Sequence, residues 1–409
     1  MSTIEPSIAL AFKRWLSDHG GGFHPHVLYS EVPSGSCVVA GEDLSGDTTV
    51  VRCPFELAVT EDLAQKALLA FLPLDDTIRT AQWSERQWIS LYICFHWIIK
   101  DSSALAHYAY VKTLPAPEKL RTPLHFTQLE LKMVEGTNLY GAALDREREW
   151  RREWNECYAV VSDANPEWGS KFPWEAYLTA ATYLSSRAFP SSLLSPTPSL
   201  QSSPTTKPVL LPGIDSLNHA RGQPVSWVVS YPDATVADKE SPSIALVLHT
   251  PATRGQELLN NYGAKPNSEL ILGYGFSLSN NPDDTIVLKV GGINGKKWEV
   301  GRSARGADGL WDEIVHSIKH DPESPPNYED HLDAAGALLD MIQTMLDRLP
   351  SDQWDHSHVD IRPEVAVMLH DYVEGQRDIL ELLIQFAHEK ERLAVEDARA
   401  EGVEIVLED

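Results

Sequence analysis

The chain has 409 residues, 43% hydrophobic and 23% charged, which is enough to bury a sizeable core and to divide into two or three domains. Its 59 acidic against 34 basic side chains give a formal net charge of -25. Such a surface repels phosphates, excludes nucleic-acid binding by net attraction, and favours encounter with basic partners.

Apolar residues at Ile8, Leu10, Phe12, Trp15 and Leu16 predict a short helix, ended by Gly20-Gly21-Gly22. Strand signals follow at Ser36 to Ala40 and Thr48 to Val51, with Pro54 limiting the second. From Thr60 to Phe189 the pattern is helical. Trp88, Leu91, Tyr92, Phe95 and Ile99 repeat on one helix face, Leu129 through Ala159 reads as one long amphipathic stretch, and Pro173-Trp174 opens a further helix. The Ser/Pro/Thr-rich segment 190–208 cannot build a core and reads as an exposed loop. Strands resume at Ser226 to Val229, Ile244 to Leu248 and near Thr285 to Val290. After about Trp298 the sequence is expected to be helical to the end, with amphipathic stretches at 338–346 and 379–386.

Cys37, Cys53, Cys94 and Cys157 include no Cys-x-x-Cys pair, which excludes a Cys-rich zinc site and fits a reducing compartment. The opening residues lack a basic stretch followed by an apolar run, and the window from Trp88 to Ile99 is too short and too polar to span a bilayer. The expected location is the cytoplasm, the nucleus or both.

Two clusters carry chemistry. The first is Gly213-Ile214-Asp215-Ser216-Leu217-Asn218-His219. The second is Gly255-Gln256-Glu257-Leu258-Leu259-Asn260-Asn261-Tyr262-Gly263, followed by Asn267-Ser268-Glu269-Leu270 and Tyr274-Gly275-Phe276. Taken singly, Asn-His and Tyr-Gly are ordinary turn and strand-end residues. Their combination resembles the SET domain, in the branch of the plant Rubisco large-subunit methyltransferase and the ribosomal-protein lysine methyltransferases of fungi. Ser186-Arg187-Ala188-Phe189, Gly136-Thr137-Asn138-Leu139-Tyr140 and Tyr372-x-x-Gly375-Gln376-x-x-Ile379-Leu380 resemble further motifs of that branch, so the likeness extends over about residues 20–385.

The resemblance implies an α+β fold: a β-rich SET domain over 20–280 with a threaded, knot-like core, a helical insert at about 60–189, the loop 190–208, and an all-α substrate-binding domain over 298–409. It implies transfer of a methyl group from S-adenosyl-L-methionine (AdoMet) to a lysine of a basic protein, such as a ribosomal protein or translation factor, leaving S-adenosyl-L-homocysteine. No metal, nucleic acid or membrane is expected to take part. Tyr262 is the expected catalytic residue. Ser34, Gly35, Ser36, Arg187, Asn218, His219, Tyr262 and Phe276 are the expected cofactor contacts, and Tyr274 and Arg187 the lining of the substrate channel. Tyr262 need not act as a base, because an unperturbed phenol with a pKa of about 10 keeps its proton at neutral pH. One motif departs from the family: where a Gly-x-Gly is usual, this chain has Ser34-Gly35-Ser36-Cys37, and a left-handed backbone at Cys37 would be strained. That departure leaves room for a SET-like pseudoenzyme that only binds a partner, and the channel could instead admit another acceptor such as histidine. A metal hydrolase built on His24-Pro25-His26 or His356-Ser357-His358 lacks carboxylates at ligand spacing.

Overall fold

The computed structural model describes residues 5–32, 35–72, 80–201, 203–231, 241–291, 295–321, 323–350 and 361–405. They group into two units, Met1–Leu120 with Arg146–Ala264, and Arg121–Asp145 with Lys265–Asp409.

In the first unit the helix Ser7–Asp18 buries Ala9, Phe12 and Leu16, spaced three and four residues apart on one face. It stops where glycine is needed: a Cβ on Gly21 would lie 2.7 Å from the Arg52 carbonyl oxygen. Ten strands among the described residues then organise the sheets of this unit. β1 (Gly22–Phe23) pairs with β4 (Thr48–Pro54), while β2 (Val27–Val32) and β3 (Gly35–Ala40) form their own antiparallel pair. β5 (Phe189–Pro190) and β6 (Pro208–Val209) pin the two ends of the Ser/Pro-rich loop together. Beyond β7 (Asn218–His219), β8 (Val225–Ser230) and β9 (Ser243–Leu248) complete a four-stranded sheet in the order β1-β4-β9-β8. Central β9, Ser-Ile-Ala-Leu-Val-Leu, is almost wholly buried, whereas edge strand β8 leaves Val228 49% exposed. β10 (Leu259–Asn260) pairs with β7 in parallel.

Helices Glu61–Leu69, Glu85–Ile98 and Trp174–Arg187 belong to the same unit. Thr60 caps the first, and Ser84 caps the second in a reciprocal box with Gln87. Glu85–Ile98 is buried nearly all round, which explains why its apolar residues exceed a single stripe. Buried Glu153, on the helix Asn138–Ala164, gathers Ser84, Arg86 and the Tyr177 hydroxyl at 2.8 to 3.2 Å. Among the described residues all four cysteines are free and buried, and no helix is long and apolar enough to cross a membrane.

In the second unit the expected single stretch from Leu129 is broken. A helix Gln128–Lys132 ends before Gly136, at φ +88°, whose missing Cβ would meet the Arg348 carbonyl oxygen at 2.6 Å. The chain re-enters a helix only at Asn138. The expectation of helix from Trp298 also shifts, because Trp298 sits in β12 (Lys296–Gly301), paired with β11 (Thr285–Val290). Helices Ala307–Ile318, Tyr328–Arg348 and Pro363–Ala400 follow and share a core with that hairpin through Ile286, Leu310, Leu338 and Leu380. Glu130, fully buried, is held by Arg362 at 2.8 and 2.9 Å. The motif residues Leu139 and Tyr372 meet here, the Leu139 N–H donating to the Tyr372 hydroxyl at 3.4 Å.

Asn267, from the Asn-x-Glu-Leu motif, has a structural place. Its backbone N–H donates to Asp284 at 2.7 Å, its amide N–H to Leu278 O at 2.9 Å, and its amide oxygen accepts from Leu278 N at 2.8 Å. Asn267→Ala strips partners from a fully buried corner and is expected to cost about 2–4 kcal/mol, read as a lowered urea midpoint.

Candidate active site

The site is built on the 213–219 turn. Gly213 takes φ +88°, and a Cβ there would lie 3.0 Å from Val51 and 3.2 Å from Leu16 and Phe23. Both the dihedral and the packing therefore require glycine. Gly213→Ala is expected to destabilise the first unit by roughly 2–4 kcal/mol, measured by chemical denaturation. One turn later Asp215, 6% exposed, accepts from Gly213 N at 3.2 Å and from the Tyr110 hydroxyl at 2.6 Å. Asp215 thus braces the turn from within. Arg187, at the end of its helix, donates to the Asp215 carbonyl at 2.8 Å and lies 3.7 Å from its carboxylate. Burial pushes the Asp215 carboxyl up, and Arg187 with Tyr110 counters part of that rise. Burial works against the charge on Arg187, but Asp215, Tyr110, Tyr262 and Tyr29 outweigh it and hold the guanidinium charged.

The parallel β7–β10 pair sets Leu259 opposite Asn218 and Asn260 opposite His219. Tyr262 follows immediately. Its backbone N–H donates to His219 Nδ1 at 3.0 Å, its hydroxyl donates to Leu217 O at 2.8 Å, and its ring stacks on His219 at 5.1 Å between centroids. Because Nδ1 accepts, neutral His219 carries its proton on Nε2. Exposed Asn218 donates to Glu257 at 2.7 Å and to Ser36 O at 3.4 Å. Backbone bonds from Leu258 N to Val38 O and from Gly255 N to Ala40 O lay the second motif along β3. Ser36, Arg187, Asn218, His219 and Tyr262 are therefore tied by hydrogen bonds to the 213–219 turn in the first unit, and Gly35 precedes Ser36 on β3.

Gly35 takes φ +136° with no atom within 4 Å of where a Cβ would sit, so the backbone there is open to approach. Cys37 is a buried strand residue opposite Ser30. Among the described residues the positive-φ positions outside glycine are Asp47, Asn280, Ser303 and Ala304, so Cys37 carries no left-handed strain. Ser34 lies outside the described residues.

Tyr274 and Phe276 belong to the second unit. Tyr274 ends the helix Asn267–Tyr274 and sits under Lys265, Gly275 turns left-handed at φ +79°, and the two rings lie 6.0 Å apart at 63°.

No family model matches the chain. The SET domain of LSMT bound to lysine and AdoHcy superimposes with a TM-score of 0.74, covering 96% of this chain and 94% of that one at 16% identity. Rubisco LSMT bound to AdoMet gives 0.70, covering 99% and 98% at 16% identity. The chain has the SET-domain fold. Its sequence is 32% identical over 254 residues to the ribosomal lysine N-methyltransferase set10 of Schizosaccharomyces pombe, covering 62% of this chain and 41% of that protein. It is 26% identical over 303 residues to ribosomal lysine N-methyltransferase 1 of Saccharomyces cerevisiae, covering 64% and 47%. The actin-histidine N-methyltransferase of Homo sapiens is 22% identical over 279 residues, covering 68% and 44%. The chain therefore spans less than half the length of the curated relatives it matches.

Sequence reasoning missed two supports of this site. Tyr29 on β2 donates to Ser216 at 2.6 Å, and Tyr110 comes from a short helical turn that carries no motif. It also passed over Asn260. This residue is fully buried, its amide oxygen accepts from Asn261 N at 2.8 Å, and its amide nitrogen has no partner in the protein. A lone buried donor at the Asn218-His219 strand pair was the signal, and only three dimensions reveal it.

Other clusters fit chemistry less well. His249 bridges Ser226 and Asp47 at 2.7 Å on each side, the connectivity of a hydrolytic triad. Asp47, however, is 81% exposed, so water screens the anion that would have to fix the imidazole. His370, Asp371 and Glu374 bring ligand atoms within 4.8 Å of one another, with Asp371 engaged by Ser277 at 2.6 Å. The rings of His24 and His26 lie 5.5 Å apart, and His356-Ser357-His358 falls outside the described residues.

Proposed function

We propose that the protein transfers the methyl group of AdoMet to a lysine side chain of a basic protein, a ribosomal protein or a translation factor, and releases S-adenosyl-L-homocysteine. The observation that carries this reading is the state of Tyr262: its ring stacked on His219 and its proton committed to Leu217 O at 2.8 Å. A hydroxyl that donates its proton in that way can accept an N–H from an incoming amine through its oxygen, which sets the amine's own lone pair on the line of attack. Tyr262 then works by alignment, without taking up a proton.

The residues present suit AdoMet. Open backbone at Gly35, next to exposed Ser36, admits the close approach of a ligand chain, exposed Asn218 offers an amide to an adenine edge, and the lone Asn260 donor awaits an acceptor. When bound, AdoMet supplies an electrophilic methyl on a sulfonium. Charged Arg187 beside Tyr262 supports the last requirement, a neutral amine: a lysine with an unperturbed pKa of about 10.4 loses its proton more readily near fixed positive charge and away from water. Ser34 and Phe276 as cofactor contacts, and Tyr274 as channel lining, rest on motif resemblance alone. The names of the two fungal relatives support a ribosomal substrate. The four buried free thiols support a cytoplasmic or nuclear location.

The test is incubation with methyl-labelled AdoMet and a fungal extract, with AdoMet binding measured by equilibrium dialysis. Labelled protein bands, with the label on lysine after hydrolysis, support the reading. Label on histidine moves the acceptor to that of the actin-histidine relative, and absence of both labelling and AdoMet binding leaves a pseudoenzyme.

A further inference from the structure

The first unit holds a cavity of about 660 Å³ that none of the residues assigned to AdoMet lines. Its walls come from the start of the helix Glu85–Ile98, the middle of Asn138–Ala164, and Pro208. Four carboxylates (Glu85, Glu149, Glu153 and Glu156) line it against two guanidiniums, Arg86 and Arg152. These charges are not equivalent. Glu153, with 5% of its side chain exposed, holds Arg86 at 2.8 Å, and together they form a neutral floor. Burial opposes the charge on Arg86, and Glu153 and Glu149 sustain it. Arg86 also donates to Glu149 at 2.7 Å, Glu85 lies 4.0 Å from Lys207 and Glu156 accepts from Gln87 at 2.8 Å, yet Glu85, Glu149 and Glu156 keep side chains 36%, 50% and 48% exposed, and the lining carries more carboxylates than guanidiniums. The remaining cation, Arg152, is 72% exposed and no nearer than 4.0 Å to Glu156.

The cavity has a second, independent feature. Trp83 lines it, is 7% exposed and packs on Trp88, yet its indole N–H is buried without an acceptor in the protein. An unpaired buried donor is costly and marks a place where a ligand's acceptor belongs. Among the described residues these glutamates do not converge as a metal-binding group, so their charges are spread along the walls. Separated carboxylates plus one donor match a chain that offers several cations and main-chain carbonyls.

We infer that this cavity docks an arginine- or lysine-rich peptide segment of the protein substrate, with cationic side chains at Glu149 and Glu156 and a backbone carbonyl at Trp83. The inference rests on the reading of a basic protein substrate, and adds a recognition site apart from the residues that transfer the methyl group. Extra anchoring of this kind raises the residence time of a substrate that the channel itself grips by one side chain.

The test uses the full chain and a fluorescein-labelled nonapeptide of alternating arginine and glycine, read by fluorescence anisotropy. Glu149→Lys with Glu156→Lys is expected to weaken binding about tenfold or more, and Arg152→Gln to tighten it about twofold. Asp18→Lys with Glu56→Lys, exposed positions outside the cavity with the same change in net charge, is expected to alter it less than about twofold. Trp83→Phe keeps the ring and removes the donor, and is expected to weaken binding about threefold. Equal weakening by the two charge reversals, or no response to Arg152→Gln, overturns the docking site in favour of overall charge attraction. AdoMet binding, followed in every variant, separates the two ideas. Its absence from the wild type defeats the transferase reading, whereas its retention with unaltered peptide affinity in the cavity variants defeats the docking site alone.

Discussion

Tyr262→Phe is expected to lower methyl transfer by roughly 100-fold or more while AdoMet affinity stays within about twofold. The substitution removes one oxygen and keeps the ring. Stacking on His219 at 5.1 Å and the backbone N–H donated to His219 Nδ1 at 3.0 Å both survive, so the loop holds its course. What disappears is the hydroxyl fixed on Leu217 O at 2.8 Å, the group that would orient the amine. A preorganised group of this kind is typically worth about 3–4 kcal/mol in the transition state and little in the ground state. Single-turnover transfer from labelled AdoMet, with binding measured separately, checks the split. A Phe variant that turns over like the wild type removes Tyr262 from the chemistry. A variant that loses binding and turnover together makes the hydroxyl structural.

Much of this site was legible in the sequence because its parts are local motifs. Gly213 through His219 is a turn whose glycine, aspartate and asparagine each have one conformational reason to be there, and the Tyr-Gly motif follows three strands later, directly after β10. The fold class followed from those motifs taken together. What stayed hidden depends on pairing at a distance. Strand β2 carries no turn signature and is defined by its register with β3, from Val27 opposite Ala40 to Val32 opposite Gly35. The break at Gly136 needed the Arg348 carbonyl oxygen, far along the chain, to become visible. β12 alternates only weakly, so the strand state of Trp298 comes from its pairing with Leu288 and is not legible locally. Cys37 carries no strain because the positive dihedral falls on Gly35, the one glycine that this segment has.

Acidification is expected to unfold the first unit selectively. His96 and His107 are 6% and 1% exposed, and burial pushes each down to about 4. His107 is held between the Tyr92 hydroxyl at 2.7 Å and Leu57 O at 3.0 Å, contacts that a neutral ring satisfies. His96 bonds Tyr92 O at 3.0 Å through Nδ1, and its buried Nε2 has no partner, so a second proton there would find nothing to receive it. In the unfolded chain both rings would titrate near 6.5. The unfolded state therefore binds protons first as pH falls, and stability present above about 6.5 drains away down to about 4. At pH 5 the two rings together forfeit about 4 kcal/mol, several degrees in melting temperature for a unit of this size. Asp215 acts with the opposite sign, since its raised carboxyl gains from protonation, but as a single group held by Arg187 it offsets only part of the loss. The second unit lacks this bias, because His125, lowered to about 4, is opposed by Asp284, raised to about 6. Thermal melts between pH 7.5 and 5 should therefore show a transition that moves steeply with pH. His96→Leu, which replaces a buried imidazole whose Nε2 has no partner by an apolar side chain of similar size, should remove about half of that slope with little loss of stability at pH 7.5. A variant whose transition tracks the wild type at every pH would place the acid sensitivity elsewhere.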